Sequence, residues 1–188
     1  MAESQKISVG MPAEEILHLL GSLEQRCRKN AIGLPQTDEV QSFWEGVMFY
    51  VGEDRLVAPL RDIKEILNFP HSITRVPGTK PWMLGVANIR GTLLPVIDLQ
   101  LFLIGIKTLR NRRSRVLVIQ HGEGLTGVLV GEMVGMRHFT QDSLTTRDTI
   151  SVKFDRYVAH GFNQDGVTWP VFNLSALTED PAFQIAAV

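Results

Sequence analysis

Gly85-Val86-Ala87-Asn88-Ile89-Arg90-Gly91-Thr92-Leu93-Leu94-Pro95-Val96-Ile97-Asp98-Leu99 is two short apolar runs hinged on a dipeptide. Runs of this length on either side of a glycine turn predict paired strands, Met83 to Ile89 and Thr92 to Asp98. The second run ends in Asp98, a good helix N-cap, and enters a short apolar helix at Leu99 to Leu103. A weaker copy follows later. Val158-Ala159 precedes Trp169-Pro170-Val171-Phe172-Asn173-Leu174, with Asn173 in the capping place and a short helix at Leu174 to Leu177. Two similar β lobes are the economical reading.

Working outward, further strands are predicted at Gly46 to Val51, Arg55 to Pro59, Arg115 to His121, Leu125 to Val130, Met133 to Phe139, Tyr157 to Phe162 and Val167 to Asn173. Gly52-Glu53-Asp54, Gly122-Glu123-Gly124 and Gln164-Asp165-Gly166 supply the turn residues between them. Such spacing favours barrels or sandwiches over an α/β sheet. The span Lys107 to Arg115 is basic and polar, and is expected to be an exposed connector between the lobes.

Before this β region, Ile16, Leu19, Leu20, Leu23 and Cys27 recur at three- and four-residue steps and predict an amphipathic helix over 12–29. Pro12 suits its first turn, Glu14 and Glu15 its positive end, Arg26, Arg28 and Lys29 its negative end, and Gly33 its stop. The organisation expected is therefore an N-terminal extension at 1–44, a β domain at 45–178 and a tail at 179–188.

The 188 residues are 44% hydrophobic and 21% charged, a composition that folds. Nineteen Lys and Arg stand against twenty Asp and Glu, so no large net field attracts polyanions from a distance. The one cysteine cannot close a disulfide within the chain, and the polar start from Met1 to Met11 lacks a signal-peptide core. No apolar stretch approaches the roughly 20 residues of a membrane helix. A cytoplasmic location is expected. The histidines at 18, 71, 121, 138 and 160 lack metal-ligand spacing, and no Walker A, G-x-S-x-G, Rossmann or H-E-x-x-H motif occurs. Neither catalysis, a cofactor nor a metal is expected.

Ile63-Lys64-Glu65-Ile66, Arg75-Val76-Pro77, Gly85-Val86-Ala87-Asn88-Ile89-Arg90-Gly91 and Leu94-Pro95-Val96-Ile97-Asp98-Leu99 together resemble the signature of the CheW family. The likeness continues through Gly127-Val128-Leu129-Val130 and Val134 to the strand at Pro170 to Leu174, covering 45–178. Leu23-Glu24-Gln25-Arg26-Cys27-Arg28 with Gly33-Leu34-Pro35 further resembles CheW-like proteins of type IV pilus chemosensory systems. The resemblance implies a mostly β fold of two five-stranded, SH3-like barrel lobes around a shared apolar core. It also implies a non-catalytic adaptor that docks the regulatory domain of a CheA-like histidine kinase, the cytoplasmic tip of a chemoreceptor and other CheW-like proteins. Such an adaptor meets membrane only indirectly, at receptor arrays. The sequence departs from the family in its N-terminal helix and in Gly131, where the family usually has Asp.

The resemblance places partner binding on Leu60, Ile63, Glu65, Arg90 and Gly91, with Leu60 and Ile63 on a turn or helix between Pro59 and Phe69 and helping to form a receptor groove. Arg90 carries a planar cationic fork that pairs well with a carboxylate, and Glu65 is its natural partner. Were that pair partly buried, removing one side would cost about 3 to 5 kcal/mol. The stripe of Ile16, Leu19, Leu20 and Leu23 is a possible second partner surface. Two other readings use different features. Pilus-driven twitching and flagellar chemotaxis both need such an adaptor, and the N-terminal motif favours the former. An OB-like nucleic-acid module would use Lys107, Arg110, Arg112, Arg113 and Arg115 on phosphates, but no aromatic residues are interleaved with them for base stacking.

Overall fold

The computed structural model describes residues 44–146 and 154–187. The predicted helix over 12–29, with Ile16, Leu19, Leu20 and Leu23, lies outside the described residues. Eleven strands and three short helices make up the described chain: β1 (Trp44–Val51), β2 (Asp54–Pro59), β3 (Ile63–Asn68), β4 (Met83–Ile89), β5 (Thr92–Asp98), α1 (Leu99–Ile104), β6 (Arg115–His121), β7 (Gly124–Val130), β8 (Glu132–Phe139), β9 (Leu144–Thr146), β10 (Val158–Gln164), β11 (Val167–Phe172), α2 (Leu174–Glu179) and α3 (Pro181–Gln184). They form a six-stranded sheet ordered β8-β1-β2-β11-β10-β9 and a five-stranded sheet ordered β3-β6-β7-β5-β4.

The pairings reveal a duplication with exchanged strands. The hairpin β1-β2 runs parallel to β11, with Val57 opposite Val171, and the hairpin β6-β7 runs parallel to β5, with Gly127 opposite Val96. β3 leaves the first hairpin to pair with β6, while β8 leaves the second to pair with β1. A one-residue bulge interrupts both of these pairings at the same place, at Lys64 in one and at Val134 in the other. Each sheet thus takes its first hairpin from one half of the chain and its remaining strands from the other. The hairpin register aligns Val86, opposite Pro95, with Gly161, opposite Pro170. Val158 therefore matches Met83, and the duplication read from Val86-Ala87 and Val158-Ala159 is offset by three residues.

Strands β1, β2, β6 and β7 are buried on both faces, which explains their continuous apolar runs. Val47, Phe49, Val51, Leu56, Ala58, Leu117, Ile119, Val128 and Val130 enter one core shared by the sheets. Alternate residues face the inside of their own lobe: Met48 and Val57 meet Phe139, Phe162 and Trp169, while Val116 and Leu129 meet Ala87 and Val96. Phe49 and Phe172, both fully buried, meet edge to face with centroids 6.4 Å apart. Full burial of one such side chain stabilises by about 1.5 to 3 kcal/mol.

Four features depart from expectation. The span after Pro59 holds a 3-10 turn only at Leu60–Asp62, and Ile63–Asn68 is a strand. Its polar residues Lys64, Glu65 and Asn68 hid the strand pattern because it is an edge, with one side paired and one side wet. β9 is a sixth strand of the first sheet; its counterpart in the second is the single bridge between Thr74 and Val86. The segment 107–115 is exposed at Leu109, 88%, yet Thr108 and Ser114 are buried. Ser114 Oγ donates to the Gly131 carbonyl at 2.6 Å, and Asn111 N donates to Ser114 Oγ at 2.9 Å, so the connector is pinned down. Finally, α3 returns Phe183 to the core, stacked on Trp82 at 5.7 Å between centroids.

Candidate functional site: an ion-paired lobe mouth

The hairpin β4-β5 turns through Arg90-Gly91 in two residues, because Ile89 pairs with Thr92. Both turn residues take positive φ, 52° at Arg90 and 87° at Gly91, as a type I′ turn requires. Gly91 meets that demand without a Cβ, and its N–H donates to Asn88 Oδ1 at 2.9 Å. Arg90 adopts the conformation at some cost in strain, and its side chain is thereby aimed across the lobe. Glu65 waits there on β3, just past the bulge. Arg90 Nη2 lies 2.7 Å from Glu65 Oε1. Since β3 and β4 are the two ends of the five-stranded sheet, the ion pair spans the gap between its free edges.

The pair closes one mouth of the lobe. Leu67, Ile89, Thr92, Leu94, Val118 and Leu125 line a cavity of about 160 Å³ behind it. Arg90 is 76% and Glu65 37% exposed at the side chain, so the pair is a surface bridge. That corrects the expected cost of partial burial: an exposed pair contributes about 0 to 1 kcal/mol, and losing Arg90 leaves no stranded buried charge. Leu125, which lines this cavity, is 37% exposed, and Leu93, on the outer face of β5, is 71% exposed. Sequence reasoning missed both. The signal was available in strand alternation, since Leu94 points inward and Leu93 must then point out.

Leu60 is half-buried on the 3-10 turn and packs against the shared core. Ile63 is 7% exposed and belongs to that core, so its side chain is not offered to a partner. The expectation of an exposed Ile63 is corrected: as the first residue of β3, opposite Ile119, it faces inward.

The titratable groups that are perturbed lie elsewhere. Burial, followed by its hydrogen bond to Asp180, pushes the Tyr157 hydroxyl up to about 12. Tyr157 Oη donates to Asp180 Oδ2 at 2.5 Å, Arg156 Nη1 sits 2.9 Å from the same oxygen, and Ala182 N donates to Oδ1 at 2.8 Å. Asp180 thereby caps α3 and ties it to the turn before β10. Among the described residues, no group of three or more His, Cys, Asp or Glu is placed to hold a metal ion, and no helix is long and apolar enough to cross a membrane.

Two interleaved sheets on a shared core define the fold class, and the family match names it. The CheW-like domain model matches residues 45–182, and the chain belongs to that family. It is 38% identical over 172 residues to Protein PilI of Pseudomonas aeruginosa, covering 90% of this chain and 95% of the relative. It is 33% identical over 117 residues to the Chemotaxis protein CheW of Helicobacter pylori, covering 61% of this chain and 68% of the relative. The crystal structure of the scaffolding protein TtCheW from Thermoanaerobacter tengcongensis superposes with a TM-score of 0.65 at 21% identity, over 78% of this chain and 99% of that one.

Proposed function

We propose that this protein is a non-catalytic adaptor that couples a methyl-accepting chemoreceptor to a CheA-like histidine kinase, in a chemosensory system controlling type IV pilus motility. Its site of action would be the receptor array at the membrane, reached through the receptor. The pilus assignment rests on the likeness to Protein PilI, which extends over nine-tenths of the chain. The mouth bearing Arg90 and Glu65 is its docking surface.

The observation that carries this assignment of the site is an asymmetry between the halves. Strand register places Asp165 where Arg90 stands and Gly135 where Glu65 stands. The fold therefore builds the same turn and the same bulge without an ion pair. A pair the fold does not require, exposed and contributing little stability, suits partner recognition. The test is reconstitution of purified protein with a CheA-like kinase and a receptor tip, read by size-exclusion chromatography. A ternary complex that Arg90→Glu loses while keeping wild-type circular dichroism and melting supports the reading. A complex indifferent to Arg90→Glu moves the docking surface elsewhere, and no complex with wild type refutes the adaptor role.

A further inference from the structure

The lobe latched by Arg90 and Glu65 has a second mouth. β3, β5 and β7 start at the latched end; at their other ends Phe69, Asp98 and Leu129 line a separate pocket of about 220 Å³. Phe69, Pro70, Ile73, Leu84 and Leu129 make the apolar part of its wall, and His71 and Thr108 a polar part. Its rim is cationic: Arg75, Lys107 and Arg110 border the opening. The Arg110 guanidinium lies 4.4 Å above the Phe69 ring, a cation–π contact that holds the charge over the aromatic wall. Arg75 and Lys107 have no hydrogen bond or ion pair among the described residues. The one carboxylate at the pocket, Asp98, is fully engaged, accepting from Leu101 N at 3.1 Å, Thr108 N at 3.0 Å and Thr108 Oγ1 at 2.6 Å. An incoming group therefore meets two unpartnered cations, Arg75 and Lys107, and the Arg110 charge held over Phe69, around a partly apolar pocket.

We propose that this second mouth binds an acidic segment of a partner protein, with one large apolar side chain in the pocket and flanking carboxylates on Arg75, Lys107 and Arg110. The volume suits a single aromatic or branched side chain. Positive charge here stands out on a chain of net charge −1: the span 107–115 holds five cations and no acid, and of these Arg113 is paired with Glu132 at 2.6 Å. Nucleic acid is disfavoured because the aromatic face in the pocket, Phe69, is already covered by Arg110, leaving no stacking platform. The surface lies at the opposite end of the lobe from the Arg90–Glu65 pair, so both mouths can be occupied together.

The test uses full-length protein and fluorescence anisotropy of a dye-labelled peptide, Asp-Asp-Phe-Asp-Asp. Binding is expected to weaken about tenfold or more in the double variant Lys107→Glu, Arg110→Glu, and severalfold when NaCl rises from about 50 to about 300 mM. It is expected to fall equally when Gly replaces the peptide's Phe, and to be unchanged in Arg90→Ala. Both reversed residues are exposed, so the double variant keeps its melting temperature. The proposal is overturned by any of four results: no binding at millimolar peptide, equal binding of the Gly peptide, equal binding by the double variant, or 3-phenylpropanoate binding more tightly than the peptide. Displacement of the peptide by an equal concentration of oligothymidylate would overturn it in favour of nucleic acid.

Discussion

Arg90 and Asp165 occupy the same position in two matching hairpins, with φ of 52° and 54°, each followed by a glycine of positive φ. They are the two non-glycine residues in that region among the described residues, and only Arg90 forms a bridge across its lobe. Asp is well suited to a left-handed turn position; Arg is not.

This asymmetry separates stability from recognition at Arg90. Arg90→Gly removes a surface pair worth about 0 to 1 kcal/mol and relieves a strain of about 1 kcal/mol. Urea unfolding is expected to show no net change beyond about 1 kcal/mol, while the ternary complex is lost. A collapse of stability would make the pair a structural clasp.

Asp98 and Asn173 are likewise counterparts, each capping a short helix through its side-chain oxygen. Asp98 is fully buried and accepts three hydrogen bonds, whereas Asn173 is exposed and its side chain accepts one, from Ala176 N at 3.0 Å. Asp98→Asn turns an amide N–H toward the Thr108 donors and is expected to cost about 1 to 3 kcal/mol. Asn173→Asp keeps an equally good cap and is expected to be near neutral. Denaturant midpoints of the two variants provide the comparison.

Gly131 and Gly85 predict opposite outcomes. A Cβ at Gly131 would meet nothing closer than the Tyr50 carbonyl at 3.5 Å, and the residue is not in the left-handed region. Gly131→Asp is therefore expected to change stability by less than about 1 kcal/mol. At Gly85, φ is 136° and a Cβ would press against the Thr74 carbonyl, whose bridge to Val86 holds the strap leading into β4. Gly85→Ala is expected to cost more than about 2 kcal/mol. Thermal melts decide both.

Asp180 gives the fold a pH dependence. The hydrogen bond from Tyr157 foremost, with the Ala182 amide and the Arg156 charge, holds its carboxyl below the usual range despite burial. The unfolded chain then takes up the proton first. The stabilisation is present above about pH 4, the ordinary carboxylate value, and lost as pH falls through the lowered native one. The melting-temperature gap between wild type and Asp180→Asn should accordingly be widest near neutrality and close in acid. Tyr157 acts at the other extreme. Its contribution is complete below about pH 10 and fades as pH rises toward about 12.

The hairpins and their caps were legible because turn chemistry is local: Arg90-Gly91, Asp165-Gly166, Asp98 and Asn173 each announce themselves within a few residues. The exchange of β3 and β8 between lobes was not, since both are edge strands whose polar residues break the apolar pattern and whose partners lie far along the chain. Glu65 and Arg90 could be paired from sequence only through the family resemblance, since complementary charge does not select Glu65 among twenty acidic residues. Their exposure could not, because it depends on which strands end each sheet. The same reason reversed Ile63, which reads as turn but sits in the core. Phe183 escaped because a short helix after a capping Asp180 looks like a tail until Trp82 is seen beneath it.

The exchanged strands also dictate an order of events during synthesis. β1 and β2 emerge first, yet their sheet stays incomplete until β8, β10 and β11 have been made, about a hundred residues later by loop-closure reasoning that makes such non-local pairing slow. Through that interval both edges of the first hairpin are unpaired, and its face carrying Val47, Phe49 and Leu56, which the finished protein buries completely, is uncovered. The nascent chain is thus open to aggregation until its last strands arrive, and a holdase that covers β1 and β2 would raise the yield of native protein.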